Sequence, residues 1–281
     1  MDKYTGYYEW HPSEQGLEDF YSGLFTPAGM GLVENQYLII YDSEDKVIDK
    51  YFCKDNEFEK VHYMTLQSDY CGVIKPRNVY QELAIHSLMD RRVPVKVLGG
   101  VFGSGKDLLM SGACFSFIEK GIFEKLVYIR PNITLEGVPD IGYLKGGMDE
   151  KLEWTLAPLW DKFGGREATQ NLVASGKIEL VALPFIKGRS FENSIIYVSE
   201  GQNITRKVAG NIISRAGEGT EIWINGDYHS QTDRRMFEVD NGMRAMEETL
   251  KGNALYETIY LPITERSAVA QLAGIVCNTE N

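Results

Sequence analysis

The residues best equipped for chemistry lie in one glycine-rich run, Gly99-Gly100-Val101-Phe102-Gly103-Ser104-Gly105-Lys106-Asp107. Gly100, four residues, then Gly105 and Lys106 match G-x-x-x-x-G-K, a loop that binds phosphate. Its glycines let backbone N–H groups turn inward around a polyphosphate, and a helix that follows presents its positive end. Lys106 supplies a point charge for the outer phosphates. The last position is unusual. Where a serine or threonine hydroxyl would reach Mg²⁺, the chain carries Asp107, and a carboxylate beside phosphates is repelled unless a metal lies between them.

Such a loop works only between a strand and a helix, and the flanking pattern supplies both. Val93 to Leu98 is an apolar strand running into the glycines, and Leu108 to Ile118 is apolar at helical spacing. Ahead of them, Val79, Leu83, Ala84 and Leu88 form a helical stripe. Further strand-like runs are Leu126–Ile129, Ile178–Leu183, Ile195–Val198, Ile222–Ile224 and Leu255–Leu261. Helical stretches are expected over Met148–Phe163, Ile204–Ala216, Gly242–Lys251 and Ser267–Val276. Strands alternating with helices predict an α/β body, a mostly parallel sheet covered on both faces.

Residues 1–73 read differently from the body, 74–281. Residues 1–35 show no clear period and hold turn formers, while Tyr37–Tyr41, Val47-Ile48 and Tyr51-Phe52 read as short strands around the turn-like Asp42–Asp45. Residues 1–70 carry 14 acidic and 5 basic side chains, a balance of −9 out of −11 for the chain, and 9 of the 16 tyrosines. This acidic, partly β region is read as a regulatory or assembly element. The body balances at −2, which leaves room for a local basic patch on a chain whose total charge opposes non-specific nucleic-acid binding.

Several classes fall away. No apolar run approaches the ~20 residues of a membrane-spanning helix. Met1-Asp2-Lys3-Tyr4 lacks a basic-then-apolar signal segment. The four cysteines, Cys53, Cys71, Cys114 and Cys277, form no C-x-x-C pair, which argues against a zinc cluster or a disulfide framework. A cytoplasmic protein without membrane partners is the expectation.

Beyond the loop, the order of motifs over 74–281 resembles the PhoH family of P-loop ATPases, especially the form that follows a nuclease domain in longer members. The motifs are Lys75-Pro76-Arg77-Asn78-x-x-Gln81, Tyr128-Ile129-Arg130-Pro131, Asp140-Ile141-Gly142-Tyr143-Leu144-x-Gly146, then Asp149, Glu150 and Lys151-Leu152. Lys187-Gly188-Arg189-Ser190 precedes Ile195-Ile196-Tyr197-Val198-Ser199-Glu200-Gly201-Gln202-Asn203. Gly226-Asp227 with Gln231, and Glu265-Arg266-Ser267, complete the series. Residues 36–75 resemble the linker of longer members, so the resemblance is to the ATPase part without the nuclease domain.

This resemblance implies a RecA-like ATPase related to superfamily 1 helicases, using ATP and Mg²⁺, acting on RNA or single-stranded DNA, and often assembled as a homo-oligomeric ring, hexameric among other forms. It implies that Gln81, with Arg77 and Asn78, meets adenine, and that Gly100, Val101, Phe102, Gly103, Ser104, Gly105, Lys106 and Asp107 cradle the phosphates, with Arg130 and Gln231 nearby. Glu200 would polarise the attacking water, Asp227 would serve the sensor motif, and Arg266 would be a finger reaching a neighbour's γ-phosphate. The family spacing G-D-x-x-Q is here one residue longer, between Asp227 and Gln231.

The Walker B strand departs too, ending Ser199-Glu200 where Asp-Glu is usual. Walker A and Walker B positions face each other across the Mg²⁺ site. Two readings stand. In one, the side-chain types have been exchanged, so Asp107 binds the metal while Ser199 hydrogen-bonds Asp107 or a metal-bound water. In the other, both positions have decayed and the chain is a non-hydrolysing, nucleotide-binding scaffold. Arg91-Arg92, Lys187 with Arg189, Arg206-Lys207 and Arg234-Arg235 either track a nucleic-acid backbone or form solvated faces.

Overall fold

The computed structural model describes residues 4–131, 156–160, 164–228 and 235–266. In chain order these form β1 (Tyr7–Trp10), α1 (Glu14–Tyr21), β2 (Tyr37–Tyr41), β3 (Val47–Lys54), β4 (Glu57–Lys60), β5 (Leu66–Ser68), β6 (Gly72–Ile74) and α2 (Val79–Met89). There follow β7 (Val95–Gly100), α3 (Lys106–Glu119), β8 (Lys125–Ile129), α4 (Ala157–Trp160), α5 (Gly165–Ala174), β9 (Ile178–Leu180) and β10 (Ser194–Val198). The last are α6 (Arg206–Ile213), β11 (Glu221–Gly226), α7 (Arg235–Val239), α8 (Gly242–Leu250) and β12 (Tyr256–Leu261).

Among the described residues, the body holds a six-stranded sheet in the order β12-β7-β11-β10-β8-β9, every pair parallel. Apolar side chains alternate between its faces with the strand period of two. Leu126, Tyr128, Ile195, Tyr197, Trp223 and Leu98 join the core beneath α2 and α3. Val127, Ile129, Ile196, Val198, Ile222 and Ile224 join the core that includes Ala209 and Ile212 of α6 and Met243 of α8. A sheet buried on both faces explains why β10 reads as an unbroken apolar run. The α/β expectation and the parallel sheet are thus observed, and no helix among the described residues is long and apolar enough to cross a membrane.

The N-terminal region contains more structure than its sequence announces. β1 pairs in parallel with β2 in a sheet ordered β1-β2-β3-β4, and α1 is capped by Ser13, whose hydroxyl accepts from the Gly16 N–H at 3.2 Å. A four-residue strand whose partner lies thirty residues away leaves no local signature, and α1 buries only Phe20. The polar α5, which buries only Thr169 and Leu172, likewise lies outside the helices that the sequence predicts. The expected helix over Met148–Phe163 falls outside the described residues except for α4, and that over Ser267–Val276 lies outside them altogether.

This region packs into the main core rather than beside it. Tyr7, Tyr37, Ile39 and Phe52 belong to the same buried cluster as Leu83, Leu88 and Phe115. Lys50 pairs with Glu82 of α2 at 2.6 Å, and the Tyr37 hydroxyl meets His86 Nδ1 at 3.0 Å. The chain also covers the outer edge of β12: the Tyr260 N–H donates to the Thr5 carbonyl at 2.8 Å, and Asn35 Nδ2 donates to the Asn253 and Tyr256 carbonyls, each at 3.0 Å. Covering an edge strand removes a site of unwanted pairing.

Gly6 makes the closest approach. Its φ is +82°, and a Cβ there would stand 1.6 Å from the Thr258 carbonyl oxygen. Alanine must therefore adopt a left-handed backbone, costing about 1–2 kcal/mol, and push residues 5–7 off β12 as well. Gly6→Ala is expected to lower Tm by roughly 4–8 °C, taking about 2 kcal/mol as the loss. It should also open the N-terminal segment to proteolysis; an unchanged Tm and digestion pattern would refute the close packing.

Candidate functional site

A parallel sheet delivers the carboxyl ends of all its strands to one edge, where ligands bind in α/β folds. At this edge lies a cavity of about 350 Å³. It is lined by Ile74, Lys75, Arg77, Gln81, the stretch Phe102–Leu109, Glu200, Asn225–Asp227, Glu265 and Arg266. The phosphate loop leaves β7 at Gly100 and enters α3 at Lys106, the strand-loop-helix context its spacing predicts. Gly103 and Gly105 hold φ of +73° and +92°, and a Cβ on Gly105 would stand 2.9 Å from the Gln81 amide nitrogen. Only glycine meets both demands.

Lys106 projects back across the loop, its Nζ donating to the Gly100 and Val101 carbonyls at 2.7 and 2.8 Å. Burial pushes this amine below its usual pKa, partly offset by Asp227, Asp107 and Glu200 around it. The charge of Lys106, held at the loop, is placed to meet the outer phosphates of a nucleotide. Asp227 is buried, and its N–H donates to Gln202 Oε1 at 3.3 Å.

Glu200 stands just past β10 with φ +60° and ψ +43°, a left-handed conformation costly for glutamate. Its surroundings hold it there. Its N–H donates to Asn225 Oδ1 at 3.3 Å, Gln202 Nε2 donates to its carboxylate at 2.7 Å, and Arg130 reaches it at 3.4 Å. The strained turn aims the carboxylate into the cavity, where a general base or water-orienting group belongs.

Asp107 and Ser199, related in the sequence only by motif, are in contact: the Ser199 hydroxyl donates to Asp107 Oδ1 at 3.4 Å. The same oxygen accepts from the Tyr197 hydroxyl, and from Asn225 Nδ2 at 2.6 Å. Alternation explains this meeting, because Tyr197 and Ser199 of the β10 end and Asn225 of β11 point to the face on which α3 begins. Burial and the Asp107 charge raise the Tyr197 pKa well above its usual value, so it remains a hydrogen-bond donor. Nearby, burial pushes the Tyr128 hydroxyl pKa up to about 12, with Ser199 and Arg130 beside it. Of these oxygens the Asp107 carboxylate reaches the cavity wall, and a carboxylate braced by hydroxyls suits a hard cation such as Mg²⁺.

The remaining expected residues fall into place differently. Gln81 is buried, with Nε2 donating to the Ser104 carbonyl at 2.9 Å and Oε1 accepting from the Arg77 N–H at 2.9 Å, so its amide ties α2 to the phosphate loop. Asn78 caps α2 and donates to Glu265 at 2.6 Å, while Arg77 donates to the Glu265 carbonyl at 2.9 Å. Arg266 lies over the Phe102 ring of its own chain at 4.7 Å. Gly100 and Val101 sit at the loop's root against Leu261 rather than on the cavity wall. Asn78, Arg130 and the buried Ser199 are not among the residues lining the cavity either.

Among the basic residues, Arg189 pairs with Glu179 and lies over Phe191 at 4.5 Å. Arg206 is exposed and pairs with Glu248 at 3.3 Å, and its neighbour Lys207 is exposed beside it at the start of α6. Gln231, Arg234 and the Arg235 side chain lie outside the described residues, as does the signature Asp140–Leu152. Reading the sequence missed Tyr197, Asn225 and Gln202 as site residues. The available signal was period two: Tyr197 precedes Ser199, and Asn225 precedes Asp227, by two positions on strands that end at the same edge.

Comparison with known proteins agrees with this geometry. The chain is 28% identical over 285 residues to protein PhoH2 of Bacillus subtilis, covering 97% of this chain and 64% of that protein. It is 30% identical over 221 residues to PhoH2 of Mycolicibacterium smegmatis, covering 77% of this chain and 50% of the relative. The B. subtilis PhoH-like protein is 30% identical over 156 residues, 54% of this chain and 48% of that one. The chain thus spans 64% and 50% of the length of these two PhoH2 proteins. The family described as PhoH-like protein matches residues 73–272, from β6 through the phosphate loop and the Glu200 turn to beyond Arg266, and the chain therefore belongs to the PhoH family of P-loop proteins.

Proposed function

We propose that the chain is a Mg²⁺-dependent ATPase that works as a homo-oligomer on RNA or single-stranded DNA, with residues 1–73 as an accessory region fixed to the ATPase body 74–281. The observation that carries the hydrolytic part is the convergence of Lys106, Glu200 and Asp227 on one cavity at the sheet's carboxyl edge. Lys106 neutralises the outer phosphates, Glu200 orients the attacking water, and Asp227 with Gln202 holds the turn that carries Glu200. Asp107, braced by Ser199, would hold Mg²⁺, which when bound offsets negative charge on the phosphates. Gln81 fixes the loop's position from α2. The exposed Arg206 and Lys207, just beyond the Glu200 turn, support a polymer backbone passing close to the site.

One observation favours the non-hydrolysing alternative. Asp107 Oδ1 already accepts from Tyr197, Asn225 and Ser199, as a purely structural carboxylate would. Hydrolysis separates the two readings. ATP turnover that is Mg²⁺-dependent and rises with single-stranded RNA or DNA supports the enzyme; tight ATP binding without turnover supports the scaffold.

Lys106→Ala should weaken ATP binding by about 10- to 100-fold, the equivalent of losing charged hydrogen bonds to phosphate. Titration showing wild-type affinity would place the nucleotide elsewhere. For the exchanged pair, Asp107→Thr leaves two hydroxyls and no carboxylate, whereas Ser199→Asp crowds two carboxylates. Each single change should cost activity and the double change should recover much of it, the non-additivity expected of touching groups. Strictly additive losses would mean that the two positions act independently.

Arg266 lines the cavity of its own chain, which supports a contact with phosphates in cis; the ring expected from the family resemblance would instead use it in trans. Mixing Arg266→Ala with Lys106→Ala protein decides. Recovery of activity in assemblies shown by mass to be mixed requires a finger acting in trans. Its absence in such assemblies leaves Arg266 serving its own cavity.

A further inference from the structure

The residue at position 107 poses a physical problem that the exchange with Ser199 does not by itself solve. A carboxylate is larger than a hydroxyl and charged, and on the first turn of α3 it faces the sheet as well as the cavity. Left without donors on the sheet side, it would lose hydration there and be free to swing. A cationic partner would fix it but would also compete with a divalent ion for its charge.

On the sheet side the donors are neutral. Tyr197 is wholly buried in β10, its ring braced against Tyr128 with centroids 5.5 Å apart. Its hydroxyl donates to Asp107 Oδ1. Asn225, 3% exposed at the end of β11, donates to the same oxygen at 2.6 Å and to the Tyr197 hydroxyl at 2.8 Å. Its other end, Oδ1, accepts the Glu200 N–H at 3.3 Å. Asn225 therefore links the carboxylate on α3 to the strained turn that carries Glu200.

We infer that Tyr197 and Asn225 are positioning residues for Asp107: they pin one carboxylate oxygen to the sheet and leave the charge intact, so that an aspartate can occupy the metal-facing place that Walker A gives to a hydroxyl. This rests on the reading of Asp107 as a Mg²⁺ ligand. On this view the exchange is a four-residue arrangement of Asp107, Ser199, Tyr197 and Asn225, in which the two donors restore the rigidity that the longer side chain lost. The effect belongs to nucleotide binding in the presence of metal, and nucleotide binding without metal does not require it.

The test measures affinity for adenylyl-imidodiphosphate, which is not hydrolysed, by calorimetry in EDTA and in Mg²⁺. The quantity read is the ratio of the two dissociation constants. Wild type should bind more tightly with Mg²⁺. Tyr197→Phe removes only the hydroxyl and should shrink that ratio about fivefold, the equivalent of one neutral hydrogen bond, with affinity in EDTA unchanged. Asn225→Ala is the second variant, read by the ratio alone because its side chain lines the cavity, with thermal melting confirming that each protein is folded. In an Asp107→Thr background Tyr197→Phe should no longer change the ratio, because the group it positions is gone. A ratio preserved in folded Tyr197→Phe and Asn225→Ala overturns the positioning role, as does an equal loss with and without metal, which is what a merely structural hydroxyl gives. If wild type itself shows no Mg²⁺ effect, the reading of Asp107 as a metal ligand fails, and the positioning role fails with it.

Discussion

The backbone that leaves β7 must turn sharply, present its N–H groups inward and enter α3 within five residues. Everything at the site depends on that turn. Gly103 and Gly105 take left-handed angles that side chains resist, and the turn is clamped from outside as well as built from within. Gln81 holds the Ser104 carbonyl, the Glu265 N–H donates to the Gly103 carbonyl at 3.0 Å, and the Thr264 hydroxyl donates to the Phe102 carbonyl at 2.8 Å. The segments before and after the sheet thus meet over the same loop.

Parallel strand order then does the rest of the assembly. Because all six strands run the same way, Arg130, Ser199, Glu200, Asn225 and Asp227 emerge at the level of the loop although up to a hundred residues separate them. The register is tight: Val198 lies opposite both Ile129 and Ile224, and Gly226 opposite Gly99. A slip of one residue on β10 would turn Tyr197 and Ser199 to the opposite face and break their contact with Asp107. The buried apolar pattern that forbids this slip therefore protects the chemistry as well as the core.

The N-terminal region takes part in the same mechanical chain. Lys50 and Tyr37 grip α2 through Glu82 and His86, and the first residues of α2 carry the side chains that hold the phosphate loop. Below the site, Lys96 is completely buried, donating to Glu257 at 3.1 Å and to the Asp90 carbonyl at 2.6 Å. Such a buried pair adds little net stability, yet leaving either charge alone would be severe. It fixes the start of β7 against β12, at the end of the strand opposite the loop.

The sequence by itself determined the α/β class and the phosphate loop with Lys106, because these rest on short-range pattern, glycine spacing and apolar period; Glu200 and Asp227 stood out only through the order of motifs that the chain shares with its family. It also showed that Asp107 and Ser199 depart from the usual pair in opposite senses. Tertiary structure decided what those departures touch. Tyr197 and Asn225 look like ordinary strand residues until the order β7-β11-β10 brings them beneath α3, and β1 finds its partner only when residues 7–10 lie along β2. Gln81 reads as a base-contacting residue in the motif, yet folding places both ends of its amide on backbone groups of the chain. Contacts between distant segments carry no local period. They arise from burial of the whole sheet, which no window of the sequence contains.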